Sequence, residues 1–157
     1  LIMRPGNHAV LNDHILLFFT GFTRIAETIA IKKIKNVLKK SSQLHTLHQM
    51  AIEARSILQS KEPDFNTVGY MLNDAWQLKR ELADGVSNVS IDEIYSRGIE
   101  AGALGGKLLG AGGGGFMMFY APPHTHDKIK ASLSDLIFVN CNIGSEGSKV
   151  VSYEHYD

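Results

Sequence analysis

The sequence predicts a single α+β domain in which helices pack on one side of a mostly antiparallel sheet. Three observations lead to this prediction. Apolar runs of strand length lie near both ends of the chain, four segments with helical periodicity follow the first of them, and a glycine-dense turn joins two further strand-like runs. The length of 157 residues, with 44% hydrophobic and 20% charged side chains, is that of one globular domain.

A strand and two helices are predicted first. The unbroken apolar run Ile15–Phe19 predicts a buried strand over residues 11–20, preceded by a turn at residues 4–7. A helix over residues 23–40 follows, with lysines crowded toward its C-terminal end, where positive charge suits the helix dipole. Either Ser41 or Ser42 is the expected N-cap of the next helix.

Two more helices have start signals of their own. The pair Pro63-Asp64 opens a helix that is expected to run to about residue 84. Ser90 and Glu93 have the spacing of a capping box, in which each side chain satisfies a backbone N–H of the other residue. Gly102 is the expected C-terminal stop of this fourth helix.

The rest of the chain is predicted to be mostly strand. Residues 105–109 and 116–120 form a hairpin around the glycine-dense turn, and a short helix follows two prolines. The last strands are predicted over residues 137–140 and 148–153. Cys141, the single cysteine, is expected to fill space in the core.

Composition argues against several classes of function. The 16 basic and 16 acidic side chains give a formal net charge of zero, so no bulk field favours nucleic acid or an anionic membrane. No apolar stretch is long enough to span a bilayer. A single cysteine cannot form an internal disulfide, which favours the cytoplasm. His45 and His48 have a metal-like spacing, but no nearby acidic or cysteine residue completes a ligand set, so no metal site is expected.

The most informative segment is the glycine-rich stretch over residues 102–115, which ends in four consecutive glycines. Such a run costs conformational entropy and weakens strand packing. Either it lets a phosphate or another backbone approach closely, which the residue types favour, or it forms a tight hairpin under a packed helix. A P-loop does not fit because Lys107 is followed by Leu108, and a dinucleotide fingerprint does not fit because a strand follows the glycines.

This segment resembles the third motif of the GHMP kinases, the family of galactokinase, homoserine kinase and mevalonate kinase. The resemblance covers nearly the whole chain, and the heptose 7-phosphate kinases are the most similar group, although fucokinases and galactokinases share much of the pattern. The segments that carry it are Phe18-Phe19-Thr20-Gly21-Phe22-Thr23-Arg24, Asn73-Asp74-Ala75-Trp76-Gln77-Leu78-Lys79, Val89-Ser90-Ile91-Asp92-Glu93-Ile94-Tyr95, Ala101-Gly102-Ala103-Leu104-Gly105-Gly106-Lys107 and Gly147-Ser148-Lys149-Val150.

The resemblance implies the C-terminal, ferredoxin-like domain of a kinase that transfers phosphate from ATP, with Mg²⁺, to the anomeric hydroxyl of a heptose 7-phosphate. Residues 14–157 would be this domain, and residues 1–13 a linker from an N-terminal domain that lies outside this sequence. That other domain would supply most contacts to ATP and Mg²⁺ and the catalytic residues, so the 157-residue chain alone is expected to lack kinase activity. A non-catalytic α+β binding module is the alternative of another class.

The resemblance also implies roles for individual residues. Those expected to face the nucleotide phosphates are Lys107, Gly110, Ala111, Gly112, Gly113 and Gly114. Those expected on the substrate side are Thr20, Arg24, Asn73 and Trp76. Three alternatives stay open: Lys107 can point into solvent, Arg24 can be an ordinary surface arginine, and Trp76 can be core packing rather than a surface for sugar stacking.

Overall fold

The computed structural model describes residues 3–21, 31, 34, 36–110, 113–144 and 152. Within them the helices with defined bounds are α1 (Pro5–Asp13), α2 (Ser41–Gln59), α3 (Phe65–Arg80), α4 (Val89–Glu100) and α5 (His126–Ser132). The strands are β1 (Ile15–Phe19), β2 (Gly105–Leu109), β3 (Phe116–Tyr120) and β4 (Ile137–Val139). The predicted α+β class is confirmed. None of the helices in these residues is both long and apolar enough to cross a bilayer.

The four strands form one sheet in the order β2-β3-β1-β4, and every neighbouring pair is antiparallel. With helices between β1 and β2 and between β3 and β4, the chain order is the ferredoxin-like β-α-β-β-α-β. The predicted hairpin of β2 and β3 is confirmed. Because Phe19 pairs with Phe116, the end of β1 lies directly beside the turn of this hairpin.

One face of the sheet carries the centre of the core. Successive strand residues point to opposite faces, so Phe18, Met117 and Phe119 share a face, and each is at most 1% exposed. The ring of Phe119 stacks on Tyr95 of α4 at a centroid distance of 6.1 Å. Other fully buried members of this core are Leu16, Ile91, Leu108, Ile129 and Leu133.

Glycines allow the helices to lie unusually close to β2. A Cβ atom added at Gly105 would contact the carbonyl oxygen of Gly69 in α3 and lie 2.7 Å from the backbone nitrogen of Asn73. At Gly106 it would lie 2.6 Å from the carbonyl oxygen of Met118. No side chain fits at such distances. The packed-helix explanation is therefore correct for Gly105, whereas Gly106 makes room for the backbone of the neighbouring strand β3.

The N-terminal prediction was wrong in one respect. Residues 4–7, predicted as a turn, lead into α1, and the helix extends through residues that were assigned to the first strand. Proline at the first helical position explains the difference, because its φ is already set for a helix and its missing N–H would be unpaired there in any case. The strand consequently begins at Ile15. Most of the helix predicted over residues 23–40 lies outside the described residues.

Two predicted caps were also wrong. α2 does begin at Ser41, but no side chain caps it, and the Ser42 hydroxyl donates to Gln43 instead. α4 is capped by Asn88, whose Oδ1 accepts from the Ile91 N–H at 3.1 Å, and Ser90 lies within its first turn. Asparagine caps helices as well as serine does, so sequence spacing alone could not choose between them.

The other helix boundaries agree better with prediction. Asp64 caps α3 by accepting from the Thr67 N–H at 3.1 Å, although this helix ends at Arg80 rather than near residue 84. Gly102 ends α4 with a φ of +115°, and the N–H groups of Gly102 and Ala103 donate to the carbonyls of Ile99 and Gly98. These two bonds form a Schellman motif, which confirms the predicted stop.

The C-terminal elements were predicted in part. β4 is confirmed at Ile137–Val139, whereas the strand predicted over residues 148–153 falls outside the described residues apart from position 152. Cys141 is exposed, so the expectation that it fills the core was wrong. It follows β4, which is an edge strand of the sheet.

We expect Gly105→Ala to lower the free energy of unfolding by about 1–3 kcal/mol, because the methyl group must push α3 away from β2. Gly6→Ala in α1 is the matched control, since a methyl there would meet nothing within 4 Å. It should change stability by less than about 1 kcal/mol. Urea unfolding followed by circular dichroism measures both, and equal stability of the two variants would contradict the requirement for glycine at this contact.

Candidate phosphate-facing loop

The turn between β2 and β3 has a backbone that glycine adopts far more easily than other residues. Gly110, Gly113 and Gly115 have φ values of +96°, +77° and +108°. A methyl group at Gly110 would meet nothing within 4 Å, so glycine is needed there for its backbone angle and not for packing. The space beside Gly110 is open to a ligand. Ala111 and Gly112, predicted for the same loop, lie outside the described residues.

The end of β1 holds one side of this loop. The backbone N–H and the Oγ1 hydroxyl of Thr20 both donate to the carbonyl oxygen of Gly115, each at 2.9 Å. Thr20 itself is only 3% exposed. The structure thus brings Thr20, predicted on the substrate side, next to the predicted phosphate-facing loop.

The connection between α3 and α4 holds the other side. The Gly113 N–H donates to the carbonyl oxygen of Val86 at 3.2 Å. The Val86 side chain is completely buried, which anchors this connection in the core. The loop is therefore fixed at two points that come from different parts of the chain.

A polar cavity of about 420 Å³ adjoins the α3–α4 connection. It is lined by Gln77, Arg80, Glu81, Ala83, Asp84, Gly85, Ser87 and Asp92. Inside it the Asp92 carboxylate pairs with Arg80 at 3.0 Å and accepts from the Ser87 hydroxyl at 2.5 Å. Sequence reasoning missed this cluster, because none of its members forms a motif by spacing.

The remaining predicted residues are placed as follows. Lys107 is half-buried in β2, on the sheet face opposite Gly106 and Leu108, and its contact with a phosphate stays a prediction. Arg24 lies outside the described residues. His45 and His48 are exposed on α2, and in the part of the chain that the structure describes no group of three His, Cys, Asp or Glu side chains could hold a metal ion.

Asn73 and Trp76 lie in the middle of α3, where Asn73 is half-buried and Trp76 is buried. The Tyr95 hydroxyl donates to Asn73 Oδ1 at 2.8 Å, and the Trp76 ring lies 6.2 Å from that of Tyr95. Trp76 is 1% exposed, so in this structure it serves as core packing. Contact of either side chain with an acceptor stays a prediction.

Burial also affects the two tyrosines of this region. It raises the pKa of Tyr95 to about 12, and it raises the pKa of Tyr120 above its usual range. In both cases the negatively charged phenolate would lose hydration, so the neutral phenol is favoured. The hydrogen bond from Tyr95 to Asn73 therefore persists at any ordinary pH.

Tyr95→Phe should lower the free energy of unfolding by about 1 kcal/mol at neutral pH, because Asn73 loses its donor. A folded pKa above the ordinary value of 10.0 means that the contribution of Tyr95 is fully present below pH 10 and lost as the pH approaches 12. The free energy of unfolding of the variant should thus fall less than that of the parent over that range. Urea titrations at pH 8 and at several pH values above 10 give the free energy of unfolding of both proteins. An equal fall of this free energy in parent and variant would contradict the assignment of the pH dependence to Tyr95.

Comparisons with known proteins agree with the fold, and the matched family model includes the glycine loop. The family model described as GHMP kinases C terminal matches residues 54–137. A D-glycero-alpha-D-manno-heptose 7-phosphate kinase of Campylobacter jejuni is 37% identical over 124 residues, which are 77% of this chain and 36% of that protein. A bifunctional fucokinase/GDP-fucose pyrophosphorylase of Arabidopsis thaliana is 31% identical over 125 residues, covering 77% of this chain and 12% of that protein.

A solved structure has a similar fold. L. major mevalonate kinase in complex with R-mevalonate superposes with a TM-score of 0.65 at 25% identity, covering 77% of this chain and 37% of that one. The chain therefore spans well under half the length of each of these three relatives.

Proposed function

The chain belongs to the GHMP kinase family, whose C-terminal model it matches, and on that premise we propose that it is the C-terminal part of an ATP-dependent sugar kinase acting on a heptose 7-phosphate. The observation that carries the proposal is the glycine loop, which is fixed by Thr20 on one side and Val86 on the other and is open at Gly110. Similarity to a heptose 7-phosphate kinase at 37% identity supports the choice of acceptor.

The loop would act on the nucleotide phosphates through its backbone. Glycines with positive φ can turn successive N–H groups toward one anion, and without side chains they let that anion come close. In the proposal Gly110, Ala111, Gly112 and Gly114 supply these groups. The N–H of Gly113 holds the loop by donating to Val86, and the missing side chain of Gly113 leaves room for the anion. Lys107 adds positive charge nearby. Catalysis of phosphoryl transfer is mostly positioning and charge stabilisation, and a rigid loop of this kind contributes to both.

Other parts of the enzyme would come from a further domain. The proposal assigns the Mg²⁺ ligands, the rest of the ATP site and the catalytic base to that domain, as the resemblance to the GHMP kinases implies. Its connection to this chain would end before Pro5, because Asn12 of α1 accepts from the Ile143 N–H at 2.8 Å and so ties the helix to the domain. A cytoplasmic location, where ATP is abundant, is part of the proposal.

The acceptor can be tested directly on the full-length protein. We expect ATP-dependent phosphorylation with the highest kcat/KM for heptose 7-phosphate, compared with fucose and galactose, and a ³¹P NMR signal of an anomeric phosphate in the product. The 157-residue chain alone should show no activity.

Each other outcome has a defined meaning. Preference for fucose would select the second candidate, a fucokinase, which the 31% identity to the Arabidopsis protein supports. Turnover of none of the three sugars would favour the non-catalytic binding module. Activity of the isolated chain would contradict the assignment of the catalytic residues to another domain.

The role of the loop can be tested separately with Gly110→Ala. The methyl group enters the open space beside the loop, where the phosphates would lie, and we expect KM for ATP to rise about 10-fold or more. Gly102→Ala is the control for backbone strain, because Gly102 has a similar φ of +115° at the end of α4. Its methyl group would also lie 2.9 Å from Thr125 Cγ2, so this control should lose at least as much stability. Both variants should lose some stability from backbone strain, yet only Gly110→Ala should weaken nucleotide binding. Equal effects of both variants on KM would contradict the proposed orientation of the loop.

A further inference from the structure

The polar cavity beside the α3–α4 connection contains a side-chain network centred on Asp92. Its Oδ2 atom pairs with Nη2 of Arg80 at 3.0 Å, and its Oδ1 atom accepts from Oγ of Ser87 at 2.5 Å. The two partners thus use different oxygens of one carboxylate. Arg80 is oriented further by donating from Nη1 to Gln77 at 3.0 Å.

The first turn of α4 holds the backbone of Asp92 in place. It lies in the first turn of α4, where its backbone N–H donates to the carbonyl of the capping residue Asn88 at 2.9 Å. Its neighbour Ile91 is completely buried, which holds this turn against the core. Arg80, by contrast, is the last residue of α3, and Ser87 belongs to the connection. The carboxylate therefore ties the end of α3 and the connection to the start of α4.

The network is connected to the glycine loop through Val86. Ser87 directly follows Val86, whose side chain is buried and whose carbonyl oxygen accepts the Gly113 N–H at 3.2 Å. A change in the position of Ser87 moves that carbonyl, and with it the hydrogen bond that fixes one side of the loop. The Val86 N–H also donates to the Ala83 carbonyl at 3.4 Å, so Ser87 acts on this carbonyl from the other side of the residue.

We propose that Asp92, together with Arg80 and Ser87, is a positioning group that sets the place of the phosphate-facing loop through the Val86–Gly113 hydrogen bond. This inference rests on the proposed function, because it assigns the loop to the nucleotide. The side chains of Arg80 and Asp92 are 33% and 37% exposed, and ion pairs so accessible to water contribute little to stability. Neutralising Asp92 should consequently leave the fold intact while changing the geometry of the loop.

The test uses Asp92→Asn and Ser87→Ala in the full-length protein. We expect kcat/KM for ATP to fall about 10-fold or more in each, since small misplacements of a positioning group have large kinetic effects, with KM for the sugar nearly unchanged. Hydrogen exchange of the Gly113 amide, followed by NMR after ¹⁵N-glycine labelling, should accelerate about 10-fold as its bond to Val86 loosens.

Two control variants separate positioning from general damage. Asp135→Asn removes the same charge from another arginine pair, between Asp135 and Arg97, which lies at the opposite end of α4 and does not contact the connection. Ser87→Thr keeps the hydroxyl that donates to Asp92. Both should behave like the parent in nucleotide kinetics and in Gly113 exchange.

Different experimental outcomes would contradict the inference and the proposed function. Unchanged Gly113 exchange in Asp92→Asn and Ser87→Ala would overturn the inference, and so would faster exchange without a change in nucleotide kinetics. A kinetic loss shared by Asp135→Asn would also overturn it. Absence of kinase activity in the parent protein would instead count against the proposed function, and Gly113 exchange would still show whether the network holds the loop.

Discussion

The close approach of α3 to strand β2 is the contact on which the rest of this domain depends. A Cβ atom at Gly105 would meet the Gly69 carbonyl oxygen of α3, and a Cβ atom at Gly69 would lie 2.6 Å from the Leu104 Cβ and 2.8 Å from the Tyr120 ring. Because α3 is held so closely, its last residue, Arg80, and the connection that follows have a defined position beside the β2–β3 turn. The same contact places Asn73 within reach of the Tyr95 hydroxyl, which joins α3 to α4. The close approach at Gly105 thus helps to place the α3–α4 connection, whose Val86 holds one side of the loop.

Glycine serves two different purposes within one short segment. At Gly105 and Gly106 the missing side chain makes room for neighbouring backbone. At Gly110, Gly113 and Gly115 the backbone takes positive φ values, and at Gly110 nothing in the described structure lies near. The packed-helix explanation is correct for Gly105, and close approach of another backbone accounts for Gly106, whereas approach of a phosphate to the turn stays a prediction. The sequence could not separate them, because the difference lies in what packs against each residue and not in the residues themselves.

Elements with a strong local signal were predicted well, and contacts between distant residues were not. The hairpin, β4, the N-cap Asp64 and the stop at Gly102 follow from apolar periodicity and glycine chemistry over a few residues. α1 was missed because a proline and a glycine favour a turn as readily as a helix start. The exposure of Cys141 depends on which edge of the sheet stays uncovered, and the Asp92 network depends on how two helices meet. Neither depends on local sequence.

The predicted site residues also divide by where they lie in their elements. Asn73 and Trp76 belong to the middle of α3, where the helix is fully engaged with the core. Thr20 and Gly113 lie where strands end, and their backbone N–H groups hold the loop through hydrogen bonds to Gly115 and Val86. Ser87, which the sequence did not indicate, lies in the connection next to Val86. A loop without side chains cannot position itself by packing, so its precision must come from the residues that hold its ends. In the proposed kinase, residues that do not touch the phosphate, such as Asp92, would then share control of where that phosphate binds.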